Sequence, residues 1–245
     1  MHPFVPQYHG MVEMEGKDYF KLTDVQIPFN QKTLHLMDVK MGVRCYEEGE
    51  IEDATPRADL YERMYQIAPS ELSFSERSEE KITKLRWMTF RDRESSTNTL
   101  GFRIDGIRTC SELRRLTELY STRSPEATME AFRSFLPSAA DCKRIPPRDL
   151  AAGLLDRLVS MRLALSRSAV FAQHEFIGTT LFFMADASSG RSDVWILDFG
   201  VTQPSEGPLK HNVPWSQGNH EDGFFIGLDN LIKQWRQMIQ EGQWR

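Results

Sequence analysis

The chain has 245 residues, of which 40% are hydrophobic and 27% are charged, and its formal net charge is −5. This composition is typical of a folded protein with a substantial core and excludes a disordered chain. An acidic chain has no general attraction for anions, so nucleic acid is not expected as a partner. An anionic ligand would need a local cluster of basic residues.

The three cysteines, Cys45, Cys110 and Cys142, are scattered and form no Cys-x-x-Cys pair. This pattern is typical neither of a disulfide framework nor of a structural zinc site, and it fits a reducing compartment. The first residues lack the pattern of a signal peptide, and no apolar stretch is long enough to span a membrane. We therefore expect a cytoplasmic protein without a membrane partner.

The first predicted elements are the two strands of a hairpin within residues 11–22, which turn at residues 15–18. Residues 23–32 contain Pro28 and Asn30 and are interpreted as a connector. The strand that follows, over residues 36–42, carries Asp38 and Lys40. Because side chains alternate along a strand, these two residues project to one face while Val39 points into the core.

Two helices are predicted next. Thr55 is the expected N-cap and Pro56 the first helical residue of a helix that ends near Pro69. Its apolar stripe consists of Leu60, Met64 and Ile67. The second helix is predicted to begin at Ser73 or Ser75, because Ser73 and Glu76 have the spacing of a capping box. Its inward-facing residues are expected to be Ile82, Leu85 and Met88 or Thr89.

Basic residues recur along this second helix at intervals of four, three and seven and would share one face. They are Arg77, Lys81, Lys84 and Arg91. A solvated charged face is the ordinary interpretation of such a stripe, and a site for a multiply phosphorylated small ligand is the alternative. Residues 77–115 as a whole contain ten basic and six acidic residues, so this segment is a local cluster of positive charge.

The remaining elements follow a polar turn at residues 95–97. An alternating strand is predicted over residues 100–107, and helices are predicted to begin at Pro125 and Pro147. The helix from Pro125 carries Met129, Phe132 and Phe135. The helix from Pro147 carries a stripe that we interpret as core packing, made of Leu150, Leu154, Leu158, Met161 and Leu165. Strands over 179–184 and 194–197, joined by a turn at 185–193, precede a final helix around 228–239.

The last predicted strand ends in Asp198-Phe199-Gly200. A carboxylate at a strand end suits a divalent cation bound to phosphates, and a lysine beside a second aspartate suits the charge on a transferring phosphoryl group. Each segment alone is a short motif that occurs by chance. Together they predict phosphoryl transfer, with Asp38, Lys40 and Asp198 around one cleft that opens onto the basic helix.

Four motifs resemble those of a known family. Residues 38–42, DVKMG, resemble the Asp-x-Lys-x-Gly signature of the inositol polyphosphate kinases. Residues 95–107, SSTNTLGFRIDGI, resemble the inositol-trisphosphate 3-kinase branch. So do NVPW at 212–215 and GNHEDG at 218–223. The similarity runs through almost the whole chain.

The resemblance implies an α+β, bilobal, kinase-like fold of the inositol polyphosphate kinase and SAICAR synthase-like type. Residues 1–27 would be a remnant of the N-lobe with the hinge, and residues 28–245 the C-lobe catalytic domain. A helical insertion at about residues 52–90 would bind the inositol phosphate. The family has further N-lobe strands ahead of Phe4, including a lysine that reaches the ATP phosphates. The resemblance therefore implies a truncated N-lobe, and the calmodulin segment of the family is also expected to be absent.

The implied activity is that of an ATP-dependent inositol-1,4,5-trisphosphate 3-kinase, which uses Mg²⁺ and gives inositol 1,3,4,5-tetrakisphosphate. Lys40 and Asp198 would be catalytic, with Lys40 between the γ-phosphate and the substrate and Asp198 holding the metal. The residues implied on the nucleotide side are Thr23, Asp24 and Val25 at the hinge, with Asp38, Arg108 and Asp198. The residues implied for the substrate phosphates are Lys40, Arg57, Arg63, Lys84 and Arg91.

Two positions depart from the family pattern. Thr23 stands where the hinge normally carries Glu before Asp24, and Val201 stands where the family has a lysine that contacts the substrate. With the truncated N-lobe, these departures leave a non-catalytic inositol-phosphate-binding protein, a pseudo-kinase, as an alternative. A broader inositol polyphosphate multikinase is the third interpretation, against which the long helical segment and the motif at residues 101–104 argue.

Overall fold

The computed structural model describes residues 1–138 and 145–244, so that Cys142 lies outside the described residues. In chain order the strands are β1 (Tyr8–Met14), β2 (Lys17–Leu22), β3 (Leu34–Met41), β4 (Pro56–Arg57), β5 (Ile82–Thr83), β6 (Phe102–Arg108), β7 (Leu113–Arg114), β8 (His174–Phe176), β9 (Thr180–Asp186), β10 (Arg191–Leu197) and β11 (Thr202–Pro204). The helices are α1 (Ala58–Ile67), α2 (Phe74–Glu79), α3 (Lys84–Glu94), α4 (Thr97–Leu100), α5 (Leu116–Leu119), α6 (Pro125–Phe135), α7 (Pro147–Ser166), α8 (Ala169–Ala172) and α9 (Phe224–Glu241). Short 3₁₀ turns lie at Glu48–Ile51 and Pro69–Glu71.

The central sheet is antiparallel and has the strand order β10-β9-β3-β6-β7. Lys40 on β3 lies opposite Thr180 on β9 and opposite Arg103 on β6. Val39 is fully buried, whereas Asp38 and Lys40 are half-buried. The predicted alternation along this strand is therefore confirmed, and it leaves a row of polar side chains across three neighbouring strands.

Helices α6, α7 and α9 pack against this sheet and complete the main core. The predicted helix starts at Pro125 and Pro147 are confirmed, and Ser124 caps α6 by accepting a hydrogen bond from Ala127 N. Every residue of the predicted core stripe on α7 is buried. Trp235 of α9 stacks on Phe132 of α6, with ring centroids 5.1 Å apart. None of the described helices combines the length and the apolar character needed to cross a bilayer.

Three of the four motifs that carry the resemblance, at residues 38–42, 95–107 and 218–223, meet at one end of β3. Gly42 N donates a hydrogen bond to Gly101 O, and Val43 N donates one to Asp222 O, both at 2.9 Å. Gly42 has a φ of +104°, and a Cβ there would lie 2.9 Å from Asp222 O. Since only glycine adopts this conformation without strain and leaves room for the neighbouring backbone, the glycine of the first motif is required by packing.

The amino-terminal hairpin is confirmed and forms a separate two-stranded sheet, β1-β2, which turns at Glu15-Gly16. Every residue of β2 is exposed, and among the residues of β1 only Gly10 is partly covered. Tyr8 and Phe20 form an edge-to-face pair across the hairpin, with ring centroids 5.9 Å apart. The hairpin thus presents apolar side chains that the described chain leaves largely uncovered.

Strand β6 contains a bulge beside Asp38. Asp38 is paired with Gly106 and Val39 with Ile104, so Asp105 has no partner in the register. The buried apolar residues of β6 are Phe102, Ile104 and Ile107, whose spacing changes from two to three across the bulge. The extra residue places the carboxylate of Asp105 beside the side chain of Arg103.

The prediction of one continuous basic helix is wrong, because the structure divides this segment into α2, β5 and α3. Helix α2 starts as predicted with the Ser73–Glu76 capping box, but it ends at Glu79, and the next residue, Glu80, has a φ of +52°. Thr83 then caps α3 by accepting a hydrogen bond from Arg86 N at 3.1 Å. Arg77 therefore lies on α2 and Lys81 lies between α2 and β5, so neither shares a helical face with Lys84 and Arg91, which both lie on α3.

The inward face of this segment also differs from the prediction. Ile82 is buried as expected, but Leu85 and Met88 are half-buried and Thr89 is exposed. The buried residues of α3 in the small helical core are Trp87 and Phe90, and the half-buried Met88 packs against this core as predicted. The break at Glu80 changes the helical phase, which explains why the inward positions moved.

The start of α1 is a second correction. Pro56 and Arg57 form β4, which pairs with β5, and the helix begins at Ala58 without a side-chain cap. Its end at Ile67 agrees with the prediction, and Leu60 and Met64 are buried. Ser95 and Ser96 form the predicted polar turn, but Thr97 already begins the short helix α4, so β6 starts later than expected, at Phe102. Strands β9 and β10 are longer than predicted.

Candidate functional site

The side chains of Lys40 and Asp198 meet at one end of the central sheet. Lys40 Nζ lies 2.5 Å from Asp198 Oδ2 and also donates a hydrogen bond to Gly178 O at 3.1 Å. Thr180 Oγ1 donates to the same carboxylate oxygen at 2.7 Å. The structure thus brings together two of the residues that the sequence analysis placed around one cleft.

Asp198 directly follows β10 and has a φ of +61°, a left-handed conformation that residues other than glycine rarely adopt. The hydrogen bonds from Lys40 and Thr180 hold its side chain in this position. Burial opposes ionisation, but these hydrogen bonds outweigh it and hold the pKa of Asp198 below its ordinary value. The carboxylate is therefore ionised at neutral pH, and its side chain is 56% exposed.

Asp38 lies on the same face of β3 but in a less favourable setting. Its Oδ1 atom is buried without a hydrogen-bond partner among the described residues. Burial raises the pKa of Asp38 to about 6, and the carboxylates of Asp105 and Asp198 add to this effect while Lys40 opposes it. An unpaired acceptor beside the Lys40–Asp198 pair is a position that a ligand hydroxyl could fill.

A cationic cavity of about 210 Å³ opens from Lys40 towards α3. Its basic residues come from three elements and are Lys40, Lys84, Arg91 and Arg103. Its remaining wall is mainly apolar and includes Trp87, Met88, Ile177 and Val201. This arrangement suits a small ligand with phosphates on one side, because charge-assisted hydrogen bonds to phosphate are strong and directional.

The two arginines of the cationic cavity are held from behind by Asp105. Arg91 Nη2 donates to Asp105 Oδ1 at 2.6 Å, and Arg103 Nε donates to the same oxygen at 2.9 Å. Arg91 and Arg103 are only 6% and 8% exposed. Burial opposes ionisation of Asp105, but Arg103 and Arg91 outweigh it and hold the pKa of this carboxyl below its ordinary value.

Cys45 also lines the cationic cavity but is chemically inert there. Burial raises the pKa of its thiol to about 12, and the carboxylate of Asp92 adds to this effect. A thiol with so high a pKa holds its proton at neutral pH and is not a nucleophile. The chemistry of the cavity therefore rests on its charged groups.

An apolar cavity of about 750 Å³ lies on the other side of Asp198. The hairpin contributes Tyr8, Phe20 and Leu22, and the end of β10 contributes Leu197, Asp198, Phe199 and Gly200. Asp198 lines this apolar cavity and Lys40 lines the cationic one. Because the two side chains are hydrogen-bonded, the pair stands at the boundary between an apolar and a cationic cavity.

The other residues implied by the resemblance lie outside these two cavities. Thr23, Asp24 and Val25 follow Leu22 directly, but they line a separate cavity of about 600 Å³ together with residues of α7 and β10. Arg108 is exposed at the end of β6. Arg57 is exposed and hydrogen-bonded to Asp59 at 2.7 Å and 2.8 Å, and Arg63 is exposed on α1. Their implied roles stay predictions.

The sequence analysis missed four residues that the structure places at the site. Thr180 and Arg103 lie opposite Lys40 in the register, Asp105 sits in the bulge, and Glu50 lines the cationic cavity. Arg103 and Asp105 are within the motif at residues 95–107, so their position was visible but their contact with Arg91 was not. No signal in the sequence pairs Glu50 with Lys84, which it contacts as an ion pair.

The donor set at Asp198 fits a metal ion that arrives with a ligand. Asp198 Oδ2 accepts from Lys40 and Thr180, whereas Oδ1 accepts no hydrogen bond from a described residue. Among residues 1–138 and 145–244, no group of three or more His, Cys, Asp or Glu side chains could hold a metal ion. Mg²⁺ commonly uses one or two carboxylates together with substrate phosphates and water, which is what this site can offer.

Comparison with known proteins places the chain among inositol phosphate kinases. The sequence model of a family described as inositol polyphosphate kinase matches residues 19–236. The chain is 38% identical over 238 residues to inositol-trisphosphate 3-kinase A of Mus musculus, covering 93% of this chain and 48% of the relative. It is 36% identical over 247 residues to inositol-trisphosphate 3-kinase B of Homo sapiens, covering 98% and 25%. It thus spans about half, or less, of the length of these curated relatives.

A solved structure shares the fold. The crystal structure of the inositol phosphate multikinase Ipk2 from S. cerevisiae, in complex with ADP and Mn²⁺, matches with a TM-score of 0.61 and 15% sequence identity. The match covers 96% of this chain and 89% of that chain. The expected α+β kinase-like fold is thereby confirmed.

Proposed function

The chain belongs to the inositol polyphosphate kinase family, and we propose that within this family it is an ATP-dependent inositol-1,4,5-trisphosphate 3-kinase. It would transfer the γ-phosphoryl group of ATP to the 3-hydroxyl and give inositol 1,3,4,5-tetrakisphosphate. The single observation that carries this proposal is the Lys40–Asp198 pair at the boundary between an apolar and a cationic cavity. A phosphoryl-transfer site needs this combination, because a nucleotide and a phosphorylated acceptor must meet at one point.

On the nucleotide side, the apolar cavity would receive the adenine and ribose of ATP. Tyr8, Phe20 and Leu22 offer apolar contact area there, and the hinge residues Thr23 to Val25 follow them in the chain. Asp38 would accept a hydrogen bond from the nucleotide through its unpaired Oδ1. The γ-phosphate would then lie beside Lys40.

On the acceptor side, the cationic cavity would hold the phosphates of the inositol ring. Lys84 and Arg91 extend from α3 into the cavity, and Lys40 and Arg103 extend from the sheet. Because Asp105 fixes Arg91 and Arg103 before any ligand arrives, little reorganisation is needed on binding. Arg57 and Arg63 would assist from the rim of the helical segment.

In the transfer step, Lys40 would neutralise charge on the γ-phosphoryl group while the ring hydroxyl attacks in line. Positioning supplies most of the acceleration in such reactions, since the transition state needs little covalent help from the protein. Asp198 would hold Mg²⁺ on the ATP phosphates through its Oδ1 atom, and the metal supplies further charge neutralisation there. The proposed setting is the cytoplasm.

The proposal is tested by incubating the purified chain with labelled ATP and inositol 1,4,5-trisphosphate and identifying the product. Formation of the 1,3,4,5-tetrakisphosphate is expected. Binding of the trisphosphate without turnover would instead favour a pseudo-kinase, and comparable rates with several inositol phosphates would favour a multikinase. Absence of both binding and turnover would overturn the proposal.

A further inference from the structure

The cationic cavity contains one negatively charged side chain among the described residues that line it, and this is Glu50. Glu50 lies in the 3₁₀ turn Glu48–Ile51 and forms an ion pair with Lys84. Its other carboxylate oxygen accepts a hydrogen bond from Glu47 N at 3.3 Å. The carboxylate is therefore fixed in place, and its side chain is only 12% exposed.

The ion pair of Lys84 differs from those of the two arginines. Asp105, which holds Arg91 and Arg103, is not among the residues that line the cavity and supports the arginines from behind. Glu50, in contrast, faces the same space as the ammonium group that it neutralises. A phosphate that approaches Lys84 must therefore share it with Glu50.

Glu50 also lines a second cavity, of about 200 Å³, on its other side. The carboxylates of Glu47, Glu48 and Glu175 line that cavity, with His220 as its basic residue. Glu48 is held by hydrogen bonds from Trp215 Nε1 at 2.9 Å and Gly218 N at 2.8 Å. Glu175 is neutralised by an ion pair with Arg44, so the negative charge beyond Glu50 comes from Glu47 and Glu48, and a phosphate that extended past Glu50 would meet these like charges.

We propose that Glu50 is a specificity-determining residue, which limits how many phosphates the cationic cavity accepts. This inference rests on the proposed binding of inositol phosphates in that cavity. Glu50 reduces the positive charge of Lys84 and closes the cavity towards the acidic one. Inositols with phosphates on part of the ring are accepted, and inositols phosphorylated on every carbon are disfavoured.

The test compares the binding of inositol 1,4,5-trisphosphate and inositol hexakisphosphate by calorimetry, which does not depend on turnover. Glu50→Gln removes the charge and keeps an acceptor for Glu47 N. It is expected to tighten binding of the hexakisphosphate about tenfold and of the trisphosphate about twofold, because the more highly charged ligand gains more. In a Lys84→Ala background the effect of Glu50→Gln should shrink, since Glu50 acts partly through Lys84.

Glu52→Gln is the matched control, because Glu52 is exposed two residues further along and lines neither cavity. It removes the same charge and should change both affinities less than twofold. Equal effects of the two substitutions, or a hexakisphosphate affinity that Glu50→Gln leaves unchanged or weakens, would overturn the inference alone. Failure of the unaltered protein and of Glu50→Gln to bind either inositol phosphate would overturn the proposed function, and the inference with it.

Discussion

The two cavities that meet at Lys40 and Asp198 are constructed in opposite ways. The cationic cavity takes its arginines from α3 and β6, where both are buried and hydrogen-bonded to Asp105 before any ligand is present. The apolar cavity is bordered by the hairpin, where Phe20 is 72% exposed and Tyr8 is 55% exposed. One site is thus fixed by buried ion pairs and the other depends on apolar side chains with few neighbours.

Under the proposed function, the two substrates of a single reaction are held by different physical means. In the cationic cavity, affinity should depend on individual charges, so removal of one charged side chain should weaken binding strongly. In the apolar cavity, affinity should depend on contact area, so removal of one apolar side chain should weaken binding only slightly. A substitution in one cavity should therefore change the KM of one substrate only, and equal effects on both substrates would contradict this division.

The largest effect is expected from Asp198→Asn, because Asp198 lines one cavity and is hydrogen-bonded to a residue that lines the other. Loss of its charge removes the proposed metal ligand and the partner of Lys40, so kcat should fall at least about 10²–10³-fold. A phosphotransfer assay measures this, with thermal unfolding as the control for folding. Retained turnover in a folded variant would remove Asp198 from the metal site.

Lys84→Ala should act on one cavity only. Loss of a charge-assisted contact to phosphate is expected to raise KM for inositol trisphosphate about 10–100-fold, while KM for ATP stays nearly constant. Lys81→Ala is the matched control, since Lys81 is exposed, lies between α2 and α3 and lines no part of the cationic cavity. Equal effects of the two substitutions would contradict the conclusion that Lys84 faces the cationic cavity and Lys81 does not.

Asp38→Asn tests the surface of the sheet between the two cavities, through the pH dependence of the protein's stability. Burial raises the pKa of Asp38 to about 6 in the folded protein, whereas the unfolded chain releases this proton near pH 4. Asp38 therefore contributes most to stability below pH 4, and this contribution falls as the pH rises through about 6. Asp38→Asn should raise the free energy of unfolding by about 1–2 kcal/mol at pH 7.5.

Urea unfolding of the variant and the unaltered protein at several pH values measures this difference. The difference should disappear below about pH 4, where the carboxyl group of Asp38 is protonated in both the folded and the unfolded chain. A stabilisation that does not depend on pH would mean that burial of the Asp38 charge is not its cause.

The smallest effect is expected from Phe20→Ser in the hairpin. Partial loss of apolar contact should raise KM for ATP about threefold and leave KM for inositol trisphosphate unchanged. The melting temperature should hardly move, because Phe20 is largely exposed. Met14→Ser, also in the hairpin but outside the apolar cavity, serves as the control. A larger effect on the inositol KM than on the ATP KM would reverse the assignment of the two cavities.

The sequence could predict features that depend on local patterns. The alternation around Val39 placed Asp38 and Lys40 on one face, and prolines at 125 and 147 located the starts of two helices. The break at Glu80 could not be predicted, because a non-glycine residue in a left-handed conformation has no sequence signal.

The contacts of the candidate site depended on tertiary packing instead. Glu50 and Lys84 are 34 residues apart, and Arg91 and Asp105 are 14 apart, so no periodicity relates them. The resemblance implied a role for each residue separately, for example for Lys84 and Arg91. Which of the implied residues share a cavity became visible only when β3, β6 and α3 were placed together.

The unpaired residue in β6 separates the needs of the site from the needs of the core. Because Asp38 pairs with Gly106 and Val39 with Ile104, a chain without Asp105 could keep the same pairing, and Ile104 and Ile107 would then alternate regularly and still face the interior. The carboxylate that holds Arg91 and Arg103 would be lost, so this deletion should damage the cationic cavity and spare the hydrophobic core. The extra residue in this strand is therefore explained by the arginines that it anchors and not by the packing of the sheet.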